Sequence, residues 1–475
     1  MASEKPLKVL IVGASISGLT LAHCLDRVNI DYEIFDGHPV APPVGASICL
    51  LPNGVAVLDQ LGLYKSLAAI ARKLKNVAIY ASSGRLIKST NDGDLLEQSV
   101  GYTGCMLPRQ ALVQMLYDHI ADKSKIHAGS GNKVRRVEHR DDCIELHTAD
   151  GAVIRGDLVV GCDGVHSTIR SEMWRIARAA QPEAFAEDAS AFVSEYRCLF
   201  GISGPVPAMG PGDSHLTTGK AGYLLFDGAN GDVFWFLYEK MDRKYTWPDV
   251  ARFTPQQGEA LAVEHVHDVI TGEMTFGDVW KARKTFGLLP MEEGVMKNWH
   301  WGRIAVLGDA AHKVSVNAGQ GGNSAIEDAA ACANALNAAV KAPESPSRGP
   351  SSLSLAEITT ALGRYQDARL PRMLKINSAS RDLCRIQGAE GIRHALFVAV
   401  SWLKSAPWME MQEDVVRGAV TLDFLPVAST RYVKAAALPS EKGGFFSLAG
   451  LLVLSVGLLA GVGIGIFLNQ SPIVG

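Results

Sequence analysis

Apolar residues fall in short runs punctuated by glycine, aspartate and serine, and their spacing predicts strands alternating with helices. Lys8-Val9-Leu10-Ile11-Val12 has strand length and ends at Gly13, and the segment after Gly18, Leu19-Thr20-Leu21-Ala22, reads as a helix. Tyr32-Glu33-Ile34-Phe35 predicts a second strand that closes on Asp36. Leu158-Val159-Val160 predicts a strand running through Asp163-Gly164 into a new helix. Ile304-Ala305-Val306-Leu307 leads through Gly308-Asp309 and the loop Gly319-Gln320-Gly321-Gly322 into an alanine-rich helix from Ser324 to Val340. Tyr223 to Phe226 and Val233 to Tyr238 read as sheet strands. Ala356 to Ile386 reads as a long helical stretch that Pro371 is expected to kink or break. Ala395 to Leu403 is apolar but too short to span a bilayer, so it is a core helix or one lying on a membrane surface. Phe445 to Leu468 is nearly all apolar or glycine; as a helix it would rise about 36 Å, enough to cross a hydrocarbon core of about 30 Å. Arg431, Lys434 and Lys442 precede it, so the expectation is a C-terminal membrane anchor with the bulk of the chain cytosolic, the endoplasmic reticulum being the expected membrane.

Two of these junctions predict a phosphate-facing turn. At the first, Gly13 serves a tight turn and Gly18 a close helix–strand contact, while Ser15 stands where such a pattern usually has its middle glycine. Asp36 falls at the distance from the turn at which a dinucleotide fold places its ribose-binding acid. A signal peptide, which Lys5 and Lys8 before an apolar run could also indicate, does not account for the glycine spacing or the second strand. At the second, the glycines from Gly319 to Gly322 allow close backbone approach, and the helix start offers free N–H groups.

Composition narrows the class. With 475 residues, 47% hydrophobic and 20% charged, the chain can bury more than one core. A formal net charge of −3 without a concentrated basic face gives no sign of nucleic acid binding. The 8 cysteines are dispersed with no Cys-x-x-Cys pair, which suggests neither a disulfide framework nor a metal site. The Pro- and Ser-rich stretch from Lys341 to Ser354 reads as a surface insertion.

An early glycine motif, a middle Asp-Gly motif (Asp163-Gly164) and a late Gly-Asp motif (Gly308-Asp309), in that order, resemble the flavoprotein monooxygenases that use one dinucleotide domain for FAD. The resemblance runs from about residue 8 to about residue 380. Within that family the chain is most similar to fungal membrane-bound monooxygenases and epoxidases of meroterpenoid and indole-diterpene pathways, through Gly45-Ala46-Ser47-Ile48, Leu51-Pro52-Asn53-Gly54, Tyr196-Arg197-Cys198-Leu199 and Leu422-Asp423-Phe424-Leu425-Pro426. The implied fold is α/β: a Rossmann-type FAD domain from residues 1–75, 105–182 and 286–340, interleaved with a β-sheet substrate domain from 76–104 and 183–285. C-terminal helices (356–440) and one transmembrane helix (445–468) follow.

The resemblance implies that NADPH reduces FAD, that O2 reacts with the reduced flavin, and that one oxygen atom reaches a lipophilic prenylated or polycyclic substrate. Epoxidation of a prenyl double bond is the expected reaction; aromatic hydroxylation and flavin-dependent reduction of an isoprenoid alkene are the alternatives. No metal is expected. Asp36 should meet the adenosine ribose, Arg109 a phosphate or the ribityl chain, Asp309 a ribityl hydroxyl, and backbone up to Gly322 the isoalloxazine. Gly13, Ser15 and Gly18 should frame the pyrophosphate, and Asp163 should orient backbone and arginine partners beside it. For Arg109 the competing reading is an arginine at a surface helix start; His312 reads as a local hydrogen-bonding residue. Two positions depart from the family: Val316 stands where proline is usual, loosening the loop, and Cys49 where glycine is usual, narrowing the site if it faces the flavin. Arg197 and Tyr238, at the ends of strands, are the candidates for direct catalysis, with a structural role in the sheet as the competing reading.

Overall fold

The run Lys8–Val12, fully apolar after its first residue, sits inside a six-stranded sheet because both of its faces are covered. A computed structural model describes residues 7–43, 47–219, 221–342, 353–388 and 407–438. Strand order in this sheet is His300–Trp301, Ile304–Val306, Leu158–Gly161, Lys8–Val12, Asp31–Asp36 and Ile126–Ala128, all parallel except the first. Parallel pairing puts the carboxyl ends of the strands along one edge. Gly13, Asp36, Asp163 and Asp309 therefore leave the sheet on the same side, the usual ligand-binding edge of such folds. The helices Ile16–Asp26 and Gln320–Lys341 pack against each other, and the second is rich in alanine where close approach requires small side chains.

An eight-stranded sheet forms the second layer, in the order His312–Lys313, Arg283–Val295, Val193–Ser203, Val233–Thr246, Ala221–Asp227, Asp213–Thr218, Asn76–Ala81 and Leu86–Thr90. The strand Arg283–Val295 pairs along its length with Val193–Ser203, so the large sheet reaches further along the chain than residue 285. Strand alternation sorts its side chains. Tyr196, Cys198, Leu224, Tyr238 and Met291 face Cys384 on the helix Leu355–Gln387. Leu199, Tyr223, Leu225, Trp235 and Leu237 face the other way, onto the helices Pro255–His265 and Phe276–Lys281.

Two expectations are corrected. The expected break does not occur: the helix Leu355–Gln387 runs through Pro371. An interior proline costs about 3 kcal/mol, and here Arg369 and Arg372 anchor the helix by ion pairs on both sides of it. The membrane anchor and the endoplasmic-reticulum placement are also set aside: no helix among the described residues is long and apolar enough to cross a membrane. Residues 445–468, on which that expectation rested, lie outside the described residues, as does 395–403.

Candidate active site

At the end of the central strand Gly13 has φ +113°, and a Cβ there would stand 2.3 Å from the Cys162 carbonyl oxygen. A Cβ on Gly18 would stand 2.0 Å from the Gly13 carbonyl oxygen. Both positions exclude any side chain, and the turn closes as tightly as its glycines allow. Ser15 is the N-cap of the helix Ile16–Asp26, yet its side chain makes no capping bond; its Oγ instead accepts from Arg109 Nη2 at 2.6 Å. A helix start without a side-chain cap, beside an arginine, is suited to an anion. Asp36 ties the second strand to the same turn, its Oδ2 accepting from the Ala14 N–H at 2.8 Å.

Arg109 opens the helix Arg109–Asp118 and lies within the electrostatic reach of Asp309 and Asp36. Burial lowers its pKa, and the two carboxylates act against that shift without cancelling it. Asp309 pairs with Lys313 in the turn after the strand Ile304–Val306. Four residues drawn from distant parts of the chain (Ser15, Asp36, Arg109 and Asp309) thus share one rim.

Asp163 has a different occupation. Its Oδ1 accepts from the Ser167 hydroxyl, and its Oδ2 accepts from the N–H groups of Thr168 and Ile169 at 2.7 and 3.1 Å. Both oxygens thus secure the start of the helix Thr168–Ala180, and burial raises the carboxyl's pKa despite these bonds.

The glycine-rich loop is held from both ends by amides. Asn323 Nδ2 donates to the carbonyls of Gly319 (2.7 Å) and Cys49 (2.9 Å), while its Oδ1 accepts from the Leu51 N–H at 2.9 Å. Gly319 has φ +63° and its N–H donates to the Val316 carbonyl at 3.0 Å, so the turn keeps its hydrogen bond with valine in place of proline. A Cβ at Gly322 would stand 2.4 Å from Ile48, whereas one at Gly321 would meet nothing within 4 Å. Cys49 packs beside this loop, its Cβ 3.7 Å from where a Cβ on Gly319 would stand, and burial pushes its thiol pKa up.

Beneath the loop lies a cluster that the sequence motifs contained without revealing its pairing. Arg369, fully buried, forms ion pairs with Glu327 and, at 2.7 Å, with Asp328. Arg372 donates twice to Glu327 at 2.9 Å. His312 Nε2 lies 2.6 Å from Asp328 Oδ2, the same oxygen that accepts from the Gly308 N–H at 2.9 Å. Asn53 Nδ2 donates to Glu327 at 2.7 Å and to Gln320 at 3.0 Å. The acids therefore hold both the Asp309 turn and the glycine loop, and His312 is a hydrogen-bonding residue as its sequence context indicated.

Comparison with known proteins agrees with this geometry. An FAD binding domain family matches residues 6–182 and 240–348. The FAD-dependent monooxygenase spyC of Aspergillus fumigatus is 39% identical over 439 residues, covering 90% of each chain. The FAD-dependent monooxygenase ptmM of Penicillium ochrochloron is 37% identical over 397 residues, 82% of this chain and 91% of its own. The chain belongs to the FAD-dependent monooxygenases. Among solved structures the fold is similar to p-nitrophenol 4-monooxygenase PnpA from Pseudomonas putida, with TM-score 0.68 at 17% identity over 87% of this chain and 97% of that one. It is also similar to Klebsiella pneumoniae HpxO in complex with FAD and uric acid, with TM-score 0.65 at 19% identity, covering 86% and 93%.

In this monooxygenase the two expected catalytic residues part company. Arg197 lies on the far face of the large sheet, opposite Tyr196 and Cys198, because successive side chains point to opposite faces. There it pairs with Glu239, which also meets His265 Nε2 at 3.2 Å, and His265 Nδ1 meets Asp268 at 2.7 Å. Arg197 is therefore corrected from a catalytic candidate to a structural ion pair. Arg197→Ala should leave FAD content and oxygen consumption unchanged and lower stability by about 1 kcal/mol or less, since the pair is partly exposed; denaturant unfolding beside a flavin assay checks both.

Tyr238 faces the near side. It is fully buried, and its hydroxyl donates to Gln387 Oε1 at 3.1 Å. The same oxygen accepts from Asn317 Nδ2, at the glycine loop, at 2.8 Å. Asn317 and Gln387 line a partly open cavity of about 70 Å³ between the large sheet, the loop and the helices Leu355–Gln387 and Pro407–Val416. Its walls are largely apolar, with Leu216, Leu224, Phe226 and Trp408 prominent, and Ser214 adds a hydroxyl. Gln387, Asn317 and Ser214 carried no sequence signal of this kind; what could have found them is strand parity combined with the loop's position.

Proposed function

We propose that this monooxygenase inserts one oxygen atom from O2 into a lipophilic prenylated or polycyclic secondary-metabolite intermediate, epoxidising a prenyl double bond, with NADPH as reductant. The observation that carries this reading is the cavity: apolar walls end at Asn317 of the glycine loop, and no side chain among the described lining residues is titratable. Hydroxylation of a phenol gains from a base that forms the phenolate, whereas epoxidation of an isolated alkene depends on placement. A largely apolar cavity with no base among its described lining residues favours placement.

The residues of the turn fit FAD. Arg109 and the uncapped start of the helix Ile16–Asp26 would hold the pyrophosphate, Asp36 the adenosine ribose, and Asp309 a ribityl hydroxyl. Backbone from Gly319 to Gly322 would lie along the isoalloxazine, since a Cβ at Gly321 meets no protein atom. Bound FAD supplies the redox and oxygen-transfer chemistry. The chain positions the cofactor with these groups, excludes water with the apolar walls, and keeps the loop rigid through Asn323 and Asn53.

Arg109→Ala should weaken FAD binding by on the order of tenfold to a hundredfold, as expected for a charge-assisted contact; flavin fluorescence titration measures it. The reaction itself is tested by incubating the FAD-loaded protein with NADPH and prenylated aromatics in air. An epoxide, or the diol from its hydrolysis, formed in step with NADPH use supports the reading. A ring-hydroxylated product would replace it with aromatic hydroxylation, and a saturated prenyl chain would replace it with alkene reduction.

A further inference from the structure

Two polar atoms that line or border the cavity have no hydrogen-bond partner among the described residues, Asn317 Oδ1 and Ser214 Oγ. Leaving a buried acceptor unpaired is costly, so such an atom beside a ligand cavity points to a ligand group. Asn317 is the more informative, because its orientation is fixed from behind. Its Nδ2 donates to Gln387 Oε1, and Tyr238 donates to that same oxygen from the floor of the sheet. With Oε1 accepting from both, the Asn317 amide presents its N–H to Gln387 and its oxygen away from it.

We propose that Asn317 is a specificity-determining residue that accepts a hydrogen bond from a hydroxyl or N–H group on an otherwise apolar substrate, with Gln387 and Tyr238 as positioning residues that set its amide. The inference rests on the reading above that this cavity holds the substrate. Asn317 immediately precedes Ala318 and the left-handed Gly319. A donor anchored there lies at the loop end of the cavity, and the rest of the molecule extends along Leu216, Leu224 and Phe226. Oxygenation is then directed to a double bond at a fixed distance from that donor, so one neutral amide selects both the molecule and the bond.

The test is a binding titration of the FAD-loaded protein with a geranylated phenol and with its methyl ether, followed by the flavin absorbance spectrum. The phenol should bind about tenfold tighter or more than the ether, the scale of one buried acceptor left unpaired. Asn317→Leu should reduce that preference to less than about threefold while retaining FAD. Gln387→Leu should reduce it too, and Gln387→Glu, which keeps an acceptor for both donors, should restore it; a merely structural role would weaken both ligands alike. Equal binding of the two ligands by the native protein overturns the inference, as does a preference that survives in Asn317→Leu. Loss of FAD from Asn317→Leu overturns it as well, by assigning the amide to the cofactor. Because the titration requires no turnover, a ligand that binds with this preference but is not oxygenated counts against the proposed reaction alone.

Discussion

Replacing Arg369 with methionine is expected to destabilise the protein by about 3–5 kcal/mol and to release FAD. The guanidinium is fully buried between Glu327 and Asp328, adjacent acids on one helix that are themselves fully buried. Without it Asp328 keeps only His312 and the Gly308 N–H, and Glu327 keeps Arg372 and Asn53. Each acid would then be under-compensated in a site that water does not reach. Against a typical total stability of about 5–15 kcal/mol, that loss is a large fraction. Lysine should recover only part of it, because one ammonium cannot reproduce a guanidinium that bonds both acids at once. Denaturant unfolding and flavin release on dilution give the two readouts.

The same cluster sets an acid limit. Burial alone would raise the Asp328 carboxyl pKa, but the adjacent His312 and Arg369 outweigh it and bring it down from 3.8 to about 2. A carboxyl whose folded pKa is depressed contributes stability that is present above its unfolded pKa and is lost as pH falls through the folded one. This contribution is therefore complete above about pH 4 and disappears towards pH 2. In Arg369→Met the opposing charge is gone, the Asp328 pKa rises, and acid unfolding should begin at higher pH.

Gly18→Ala should abolish FAD retention and cost at least about 3 kcal/mol. The added methyl would stand 2.0 Å from the Gly13 carbonyl oxygen and 3.1 Å from Ile11 Cγ2, and neither the strand nor the helix can give way without opening the turn. Gly321→Ala is the contrast: its Cβ meets no protein atom within 4 Å, so the fold should survive. Lost FAD binding in a well-folded Gly321→Ala protein would mark the surface that the flavin itself occupies. Thermal unfolding of the two variants beside their flavin content separates a broken turn from an obstructed cofactor.

The parts of the site legible in the sequence are those that lie at strand ends. Gly13, Asp36 and Asp309 each follow a strand of one parallel sheet, and parallel strands deliver their carboxyl ends to a single edge. Local order therefore sufficed to bring them together. Pairings between residues far apart in the chain were not legible: nothing local to Arg369 names Glu327 or Asp328, and nothing near Tyr238 names Gln387. Arg197 and Tyr238 were equivalent in the sequence because a strand's two faces cannot be told apart until its neighbours are known. The sheet then turned Tyr238 towards the helix Leu355–Gln387 and Arg197 towards Glu239 on the opposite face. Asp163 did carry a local sign, with Ser167 and Thr168 following at helix-start spacing, which favours capping over cofactor contact. Pro371 predicted a break from a local cost alone, whereas the residues on either side of it are tied to Glu327 and Asp328 on another helix, contacts that no local pattern shows.

The most direct measurement supplies isotopically labelled dioxygen to the FAD-loaded protein with NADPH and a prenylated aromatic substrate, and reads the product by mass spectrometry. A product carrying one labelled oxygen atom at the former prenyl double bond is the predicted result. A product that carries no label, or whose new oxygen comes from water, would contradict the account.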